Sequence, residues 1–447
     1  MDGKKNTYVI PVHDRPLRTC KNAADGCIGV HFHMNPACLA CAAFLQLTTT
    51  AGLSSGSLMP RSSFILVVAM LSAFGLIASD VYLPAMPSMT HAFGIADWQM
   101  PQTVSFYLLA LAVSQLVYGP LSDRYGRKPV LMGAGLLYLV GSLGCAAAGS
   151  YSAFLAWRMI EAMGAAAGLV IGRALIADTC DKRTSAKVYA IVYPLVSLSP
   201  ALAPVIGGHL AAQFGWRADF IFVAGFGAVA LLLALIRLPE TLPAAARVRT
   251  NPFNGFSQVL RDRGFRRYTL VVCAIYCAWF VYLTQSPFLL TRAGLSEEQI
   301  GWMYLPLTAG IIGANWLTKR GLEYWPYDRL VAAGVVCFAL GGVVFLGVAA
   351  MDWRNAAGVV LPMCLVSLAN GSSLSLSVSG AIAAEHGHAA TASGLVGFCQ
   401  IGSAALMAMA ISAVFGTSLA VLAGAVAMFS LIALGACLGS CLHHGRD

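Results

Sequence analysis

Residues 119–129 read GPLSDRYGRKP and lie between two long apolar segments of the chain. Its two glycines permit a tight turn between antiparallel helices. Asp123 supplies a carboxylate that can face a helix N-terminus, where negative charge is favoured. Three basic side chains follow within five residues, and such charges mark the cytoplasmic side of membrane helices. The segment therefore predicts a tight cytoplasmic turn between two membrane-spanning helices.

The composition of the whole chain agrees with a membrane protein. Of its 447 residues, 58% are hydrophobic and only 11% are charged, whereas soluble domains carry about 25% charged residues. A solvated globular surface cannot be built from this composition. The net charge of +9 is spread over too few charges to cover a nucleic-acid groove, so we expect no nucleic-acid partner. Apolar segments of roughly 20 residues predict spanning helices rather than a β-barrel.

The apolar segments predict an all-α membrane protein with twelve transmembrane helices, because helical backbone satisfies its own polar groups in lipid. The predicted helices cover 62–87, 102–121, 130–148, 153–177, 187–211, 218–238, 268–290, 297–318, 329–349, 356–381, 390–413 and 416–440. The connections after helices 2, 4, 6 and 8 hold fifteen lysines and arginines, against three in the odd-numbered connections. The even connections and both ends of the helical region are therefore expected to be cytoplasmic, in a multi-pass membrane protein.

One polar linker, 239–267, divides the helices six and six. It separates an N-terminal six-helix bundle, 59–238, from a C-terminal one, 268–447. Two equal halves suggest parallel repeats with a binding site near the membrane midplane between them.

Residues 1–58 do not fit the helical pattern. Their cysteines and histidines allow a zinc site, since Cys38 and Cys41 have ligand spacing. No second ligand pair and no folded support accompany them, so we expect no metal. The alternatives are a disordered tail, or a mis-assigned start with the true chain beginning at Met59.

The 119–129 segment resembles the signature of the major facilitator superfamily, G-x-L-x-D-R-x-G-R-[KR]-x, at every fixed position. The resemblance implies two six-helix bundles and a latch that closes the cytoplasmic side. In that family the Asp123 carboxylate faces the start of helix 11, and Arg127 can pair with an acid at the end of helix 4. The latch residues are Gly119, Asp123, Arg124, Gly126, Arg127 and Asp178. Positive-inside anchoring alone explains the arginines but neither the acid nor the glycines.

A second motif lies in helix 5, where residues 197–208 read SLSPALAPVIGG. It resembles the antiporter motif of the drug:proton branch, G-x-x-x-G-P-x-x-G-G. Proline bends a helix and small residues allow close approach. Its residues are Pro200, Pro204, Gly207 and Gly208, while Ser199 and Ala203 replace two glycines. The alternative is an ordinary helix kink. Together with the first motif, it favours export.

Charged residues inside two predicted helices need a function or a partner, since each costs about 2.5–3.5 kcal/mol to insert. They are Asp80 in helix 1, and Arg158 and Glu161 in helix 4. By depth, Asp80 and Arg158 both lie in the outer half and can meet. We expect Asp80 to release or gain a proton as substrate binds, and Arg158 to tune the proton affinity of Asp80. The alternative is a static ion pair that locks helices 1 and 4.

These residues narrow the resemblance. D-x-Y-L-P-x-x-P from Asp80, R-x-x-x-A-x-G from Arg158, and GWR at 215–217 look like the Bcr/CflA (bicyclomycin/chloramphenicol resistance) group of drug:proton antiporters, over residues 60–440. The resemblance implies a monomer that uses the proton gradient and no cofactor. Glu161 stands where that group has glutamine, so it is open which acid carries the proton.

The expected substrate cavity is apolar with a few polar groups, which suits drug-sized amphiphiles. Its candidate residues are Tyr82, Tyr276, Trp279, Phe280, Gln285, Asn370 and Gln400. Lipid contact or interfacial anchoring is the alternative for the aromatic residues.

The favoured function is proton-coupled efflux of small amphipathic compounds, such as antibiotics, by alternating access. One alternative is a dedicated exporter of an endogenous metabolite such as a siderophore; another is a membrane receptor without turnover. The sequence holds neither a nucleotide-binding G-x-x-x-x-G-K-[ST] loop nor an H-E-x-x-H motif. An ATP-driven pump and an enzyme are therefore not expected.

Overall fold

The computed structural model describes residues 62–180, 182–242, 256–383 and 389–441. The predictions for residues 1–58 and for the centre of the linker lie outside the described residues. Long helices run through all four ranges, and we number these α1 to α12. They are α1 Ser62–Asp80, α2 Met100–Tyr125, α3 Arg127–Ala147, α4 Tyr151–Thr179, α5 Lys182–Phe214, α6 Arg217–Arg237, α7 Arg263–Arg292, α8 Leu305–Gly321, α9 Tyr327–Ala350, α10 Ala356–Ala369, α11 Ala389–Phe415 and α12 Leu419–Cys441.

Ten spans in the described ranges are long and apolar enough to cross a membrane. The helices α5 and α8 occupy the two remaining places in the chain order. The predicted fold class, an all-α membrane protein, is thereby confirmed. Several shorter helices join the long ones: Leu83–Ala85, Met86–Phe93, Phe256–Arg261, Glu297–Trp302 and Ser375–Ala383.

The predicted loop between helices 2 and 3, residues 122–129, is too long. The connection between α2 and α3 is a single residue, Gly126, with a φ of 101° that favours glycine. Gly119 lies inside α2, about two turns before the connection, so it does not form the turn. Hydropathy could not show this, because polar residues continue a helix after it leaves the apolar region.

Two predicted helices are interrupted. The first breaks after Asp80, passes through the Leu83–Ala85 turn and continues to Phe93, because proline at 84 and 87 cannot donate a backbone hydrogen bond. Past α10, the chain forms a π-helical turn at Asn370–Leu374. The start of α7 at Arg263 also precedes the predicted start, so the end of the predicted linker is helical.

The helices pack mainly within each half of the described chain. In the first half α4 contacts α1, α2 and α3, while α6 contacts α1 and α3. In the second half α7 contacts α11 and α12, and α9 contacts α10 and α12. The halves meet along two seams, one between α2 and α11, the other between α5 and α8 with the Glu297–Trp302 helix. We call Glu297–Trp302 the short seam helix.

The two ends of the bundle differ in charge. The end that carries the α2–α3 and α4–α5 connections is rich in lysine and arginine, and we call it the basic end. The opposite end carries the connections between α1 and α2, α5 and α6, and α7 and α8. We call this opposite end the charge-poor end.

Candidate functional site

A fully buried arginine connects α4 to α1. The Arg158 side chain has no exposed surface, and its Nη1 donates to the Glu161 carboxylate. The same nitrogen donates to the carbonyl of Ala78 at 3.1 Å. Arg158 therefore holds the two helices together through the backbone of α1. Its ion-pair partner is Glu161, the acid one turn along its own helix, and among the described residues no ion pair joins it to Asp80.

Aromatic rings surround the guanidinium of Arg158. Its centre lies 4.1 Å from the ring centroid of Tyr107, 4.6 Å from that of Tyr82 and 5.7 Å from that of Phe220. The Tyr82 hydroxyl is itself hydrogen-bonded to Thr103 at 2.9 Å. Nε and Nη2 of Arg158 have no hydrogen-bond partner among the described residues, and the faces of the rings compensate part of that loss. Tyr82 is therefore bound to the arginine rather than free to line a cavity.

Glu161 is enclosed between α3 and α4. The Ser142 hydroxyl donates to its carboxylate at 2.7 Å, and the Cys145 thiol lies 3.9 Å from the other oxygen. Gly141 allows this approach, because a Cβ there would overlap the backbone of Glu161. The acid is thus fixed on three sides by serine, cysteine and arginine.

Asp80 lies at the end of α1 and is 3% exposed. The Ser79 hydroxyl donates to its carboxylate at 2.7 Å. Two residues before it, the Ala78 carbonyl accepts from Arg158, and the Leu83–Ala85 turn after it packs against α7 and the short seam helix of the other half. The structure therefore brings the three charged residues predicted from the sequence into one region, with Asp80 on the side that faces the second half.

The predicted latch residues meet at the basic end. The Arg127 guanidinium lies 2.6 Å from Asp123 and 2.9 Å from Asp178. It also donates to the Ser122 hydroxyl at 2.6 Å. Arg124 extends over the ring of Tyr125 and takes no part in this cluster. A Cβ on Gly119 would meet no atom within 4 Å, so close packing does not require glycine there in this conformation.

Sequence reasoning missed Glu240 in this cluster. Its carboxylate accepts the backbone N–H of Arg127 at 2.9 Å and that of Lys128 at 3.2 Å. These are unpaired donors of the first turn of α3, where negative charge is favoured. The sequence shows only an acid shortly after the sixth helix. This signal is weak unless the position of the start of α3 is known.

The antiporter motif lies on the seam between the halves. A Cβ on Gly207 would overlap the carbonyl oxygen of Val81, and a Cβ on Gly208 would overlap that of Glu297. From the other side, Gly301 approaches the carbonyl of Pro204 equally closely. Pro200, one turn earlier, is half-buried. The small residues of this motif therefore permit backbone contact between α5, the end of α1 and the short seam helix.

Polar contacts also join the two halves at the charge-poor end. The Arg292 guanidinium lies 2.6 Å from the Asp97 carboxylate, and His209 Nδ1 lies 3.6 Å from Glu298. The Ser412 hydroxyl donates to the carbonyl of Trp98 at 3.2 Å. Each contact joins a residue of the first half to one of the second.

The predicted substrate residues are only partly grouped. The rings of Tyr276 and Phe280 are 4.9 Å apart, and Trp279 beside them is buried. Gln285 is buried, with no hydrogen-bond partner for its Oε1 among the described residues. Two further candidates are half-buried, Asn370 in the π-helical turn and Gln400 in α11. A cavity of about 290 Å³ at the charge-poor end, beside Arg292 and Arg354, contains none of them.

Sequence reasoning also missed Asp219, the third residue of α6. It has no exposed surface, and neither carboxylate oxygen has a hydrogen-bond partner among the described residues. The signal was available, since an acid inside an apolar segment should be singled out in the same way as Asp80.

Comparison with known proteins identifies the family. Residues 64–408 match the family model of the Major Facilitator Superfamily. A chloramphenicol resistance protein of Pseudomonas aeruginosa is 32% identical over 74% of this chain and 80% of its own length. Multidrug resistance protein D of Escherichia coli K12 is 28% identical over 78% of this chain and 88% of its own length. These relatives confirm the resemblance to resistance transporters that the motifs predict.

Solved structures share the fold at low sequence identity. The E. coli xylose transporter XylE superposes with a TM-score of 0.66 at 15% identity, covering 84% of this chain and 96% of its own. The human organic anion transporter MFSD10 gives a TM-score of 0.58 at 20% identity, covering 85% and 99%. On the family match, the relatives and the shared fold, the chain belongs to the major facilitator superfamily.

Proposed function

We propose that this transporter exports small amphipathic compounds, such as antibiotics, across the bacterial inner membrane in exchange for protons, by alternating access. The names of its relatives, chloramphenicol and multidrug resistance proteins, support the substrate class. The observation that carries the coupling is the position of Asp80, an acid buried at the face between the two halves.

The orientation follows from the charge of the connections. The basic end is cytoplasmic, because lysine and arginine are retained on that side during insertion. The ends of the helical region then lie in the cytoplasm, and the charge-poor end faces outward. With this orientation the contacts of Gly207, Gly208 and Gly301 close the outer face, and the Arg127 cluster lies at the inner face.

The different surroundings of Asp80 and Glu161 support Asp80 as the coupling residue. Arg158 already has Glu161 as its counter-charge and Ala78 as a backbone partner. Asp80 is therefore not needed as a permanent partner for Arg158, and it can gain or lose a proton without leaving a buried arginine uncompensated. Glu161 and Arg158 act as a fixed pair that sets the local field.

The exchange then follows from competition for one site. A proton taken up by Asp80 from the outside is released to the cytoplasm when substrate binds between Asp80 and the second half, next to Tyr276. The further candidates for substrate contact are Trp279, Phe280, Gln285, Asn370 and Gln400. One pH unit across the membrane supplies about 1.4 kcal/mol per proton, so one proton per cycle sustains about a tenfold substrate gradient.

The test uses purified protein in vesicles with a pH-sensitive dye inside. A panel of amphipathic antibiotics and a siderophore extract is added under an imposed proton gradient. We expect several unrelated drugs to move protons in the wild type and none to do so in Asp80→Asn, which should still bind them. Asp352→Asn is the matched control, since this acid is exposed and paired with Arg354 at the surface.

Three other outcomes would contradict this proposal or support a different function. Full coupling in Asp80→Asn would rule out this assignment of the coupling acid. Proton movement with one metabolite alone would identify a dedicated exporter. Binding without proton movement in the wild type would identify a receptor.

A further inference from the structure

Asp219 is a buried acid that the proposed exchange does not use. It lies in the first turn of α6, where the helix N-terminus accommodates an acid. Yet both oxygens lack a hydrogen-bond partner among the described residues, and the side chain is completely enclosed. An ionised carboxylate in such surroundings is strongly unfavourable unless a cation or several donors face it.

Among the described residues no cation forms a hydrogen bond with Asp219. Arg158 of α4 lies 5.7 Å from the ring of the neighbouring Phe220, but it is paired with Glu161. In α1 the charged residue near this level is another acid, Asp80, which is bonded to Ser79. In α5 it is His209, which pairs with Glu298. The charges of α3 lie at its opposite, basic end, at Arg127 and Lys128.

Two further charged groups lie near the start of α6. Arg217, two residues before Asp219, donates to the carbonyl of Ala148 at 3.2 Å and covers the ring of Trp216. Across the seam, the charged group within electrostatic range of Asp219 is Glu297. A second acid cannot compensate the charge of an ionised Asp219.

Closure of the outer face brings these two acids together. Glu297 begins the short seam helix, and its carbonyl is packed against Gly208 of α5. Separation of the short seam helix from α5 would remove Glu297 and admit water to the start of α6. Asp219 would then be solvated and free to ionise. The protonation of this acid and the closure of the seam are therefore thermodynamically linked.

We propose that Asp219 is a second proton-binding site, filled from the outer solution, and that its proton is required for the outer face to close. The inference rests on the alternating access of the proposed function, but not on Asp80 or on any substrate. Since the closed state binds the proton and the open state releases it, raising the outer pH should favour the open state.

The first experiment detects the proton directly, by infrared spectroscopy of the purified full-length protein in lipid without substrate. We expect a carbonyl-stretch band of a protonated carboxylic acid that is absent from Asp219→Asn and retained in Asp80→Asn. An unchanged band pattern in Asp219→Asn would overturn the proposal. The measurement requires no transport, so its failure is distinct from failure of the proposed exchange.

The second experiment follows the seam itself. Spin labels are placed at Gln213→Cys on the end of α5 and Gln299→Cys on the short seam helix, both exposed, in a chain whose native cysteines are serine. We expect the wild-type distance to lengthen as pH rises, and Asp219→Asn to stay short at every pH.

His209→Gln is the matched control, because His209 of α5 is a titratable group at the same seam and pairs with Glu298. We expect it to keep the pH-dependent distance change. Loss of that change in His209→Gln, or its persistence in Asp219→Asn, would assign the pH response to another group and overturn the proposal. Even if Asp219→Asn does not fold, loss of the pH-dependent distance change in His209→Gln would still overturn the proposal.

Discussion

At the scale of single residues, the buried pair of Arg158 and Glu161 explains why α4 tolerates two charges inside an apolar segment. The glutamate supplies the counter-charge, Ser142 completes its hydrogen bonds, and aromatic rings enclose the arginine. Breaking such a pair on one side leaves a buried charge, whereas removing both partners leaves none.

We therefore expect Glu161→Leu to lower stability by about 3–5 kcal/mol, because Arg158 loses its counter-charge. The double variant Arg158→Met with Glu161→Leu should recover much of that loss. Ser142→Ala, which removes one hydrogen bond, should cost only about 1 kcal/mol. Denaturant unfolding in detergent measures all three. A double variant less stable than Glu161→Leu alone would contradict the expectation.

Sequence reasoning found all three of Asp80, Arg158 and Glu161 because charge in an apolar segment is visible without a structure. It did not find which acid pairs with the arginine, since that depends on the rotation of α1 against α4. It passed over Glu240, whose environment is created by the start of α3, and it overlooked Asp219, although the same signal of an acid in an apolar segment applied there.

At the scale of helices, backbone contact at glycines is what lets α5 fit into the seam. Gly207 meets the carbonyl of Val81, which lies just past the break in α1. The same residue type at Gly119 faces open space. Both glycines belong to recognised motifs, but only at Gly207 would a side chain collide with a neighbouring segment.

Gly207→Ala should force α5 away from α1, and overpacking of this kind costs about 1–3 kcal/mol. We expect a lower unfolding midpoint and a faster proton leak into vesicles, because the outer face no longer seals. Gly119→Ala should match the wild type in leak rate and gain up to about 1 kcal/mol from better helix propensity. Equal effects of the two substitutions would argue against the seam contact as their cause.

Apolar periodicity predicted where the membrane helices lie, but not how they end. It placed a loop where α2 and α3 continue almost to each other, because Ser122–Tyr125 is polar yet helical. It gave no sign of the π-helical turn after α10, since π-helical geometry reflects packing against neighbouring helices rather than composition.

At the scale of the whole molecule, the charge-poor end is held shut by contacts between the halves. The ion pair of Asp97 with Arg292 is one of these, and its side chains are 43% and 50% exposed. Exposed pairs contribute about 0.2–1 kcal/mol. Its loss should shift the balance between open and closed states without abolishing either.

We expect Asp97→Asn to raise the ratio of open to closed outer face by at most about fivefold, which corresponds to about 1 kcal/mol. The spin-label distance between Gln213→Cys and Gln299→Cys reports this ratio. The exchanged pair, Asp97→Arg with Arg292→Asp, should restore the wild-type distribution. High salt should reproduce the effect of Asp97→Asn, because ions screen exposed charges. An exchanged pair as open as the single variant would contradict the ion-pair explanation.

The one-residue joint at Gly126 restricts how the first half can deform. A joint of this length has no slack, so α2 and α3 cannot slide past each other or tilt independently at the basic end. Arg127 forms ion pairs with Asp123 of α2 and Asp178 of α4, and these ion pairs connect α4 to α2 and α3. We therefore expect α2, α3 and α4 to move as one rigid block in any rearrangement of the two halves.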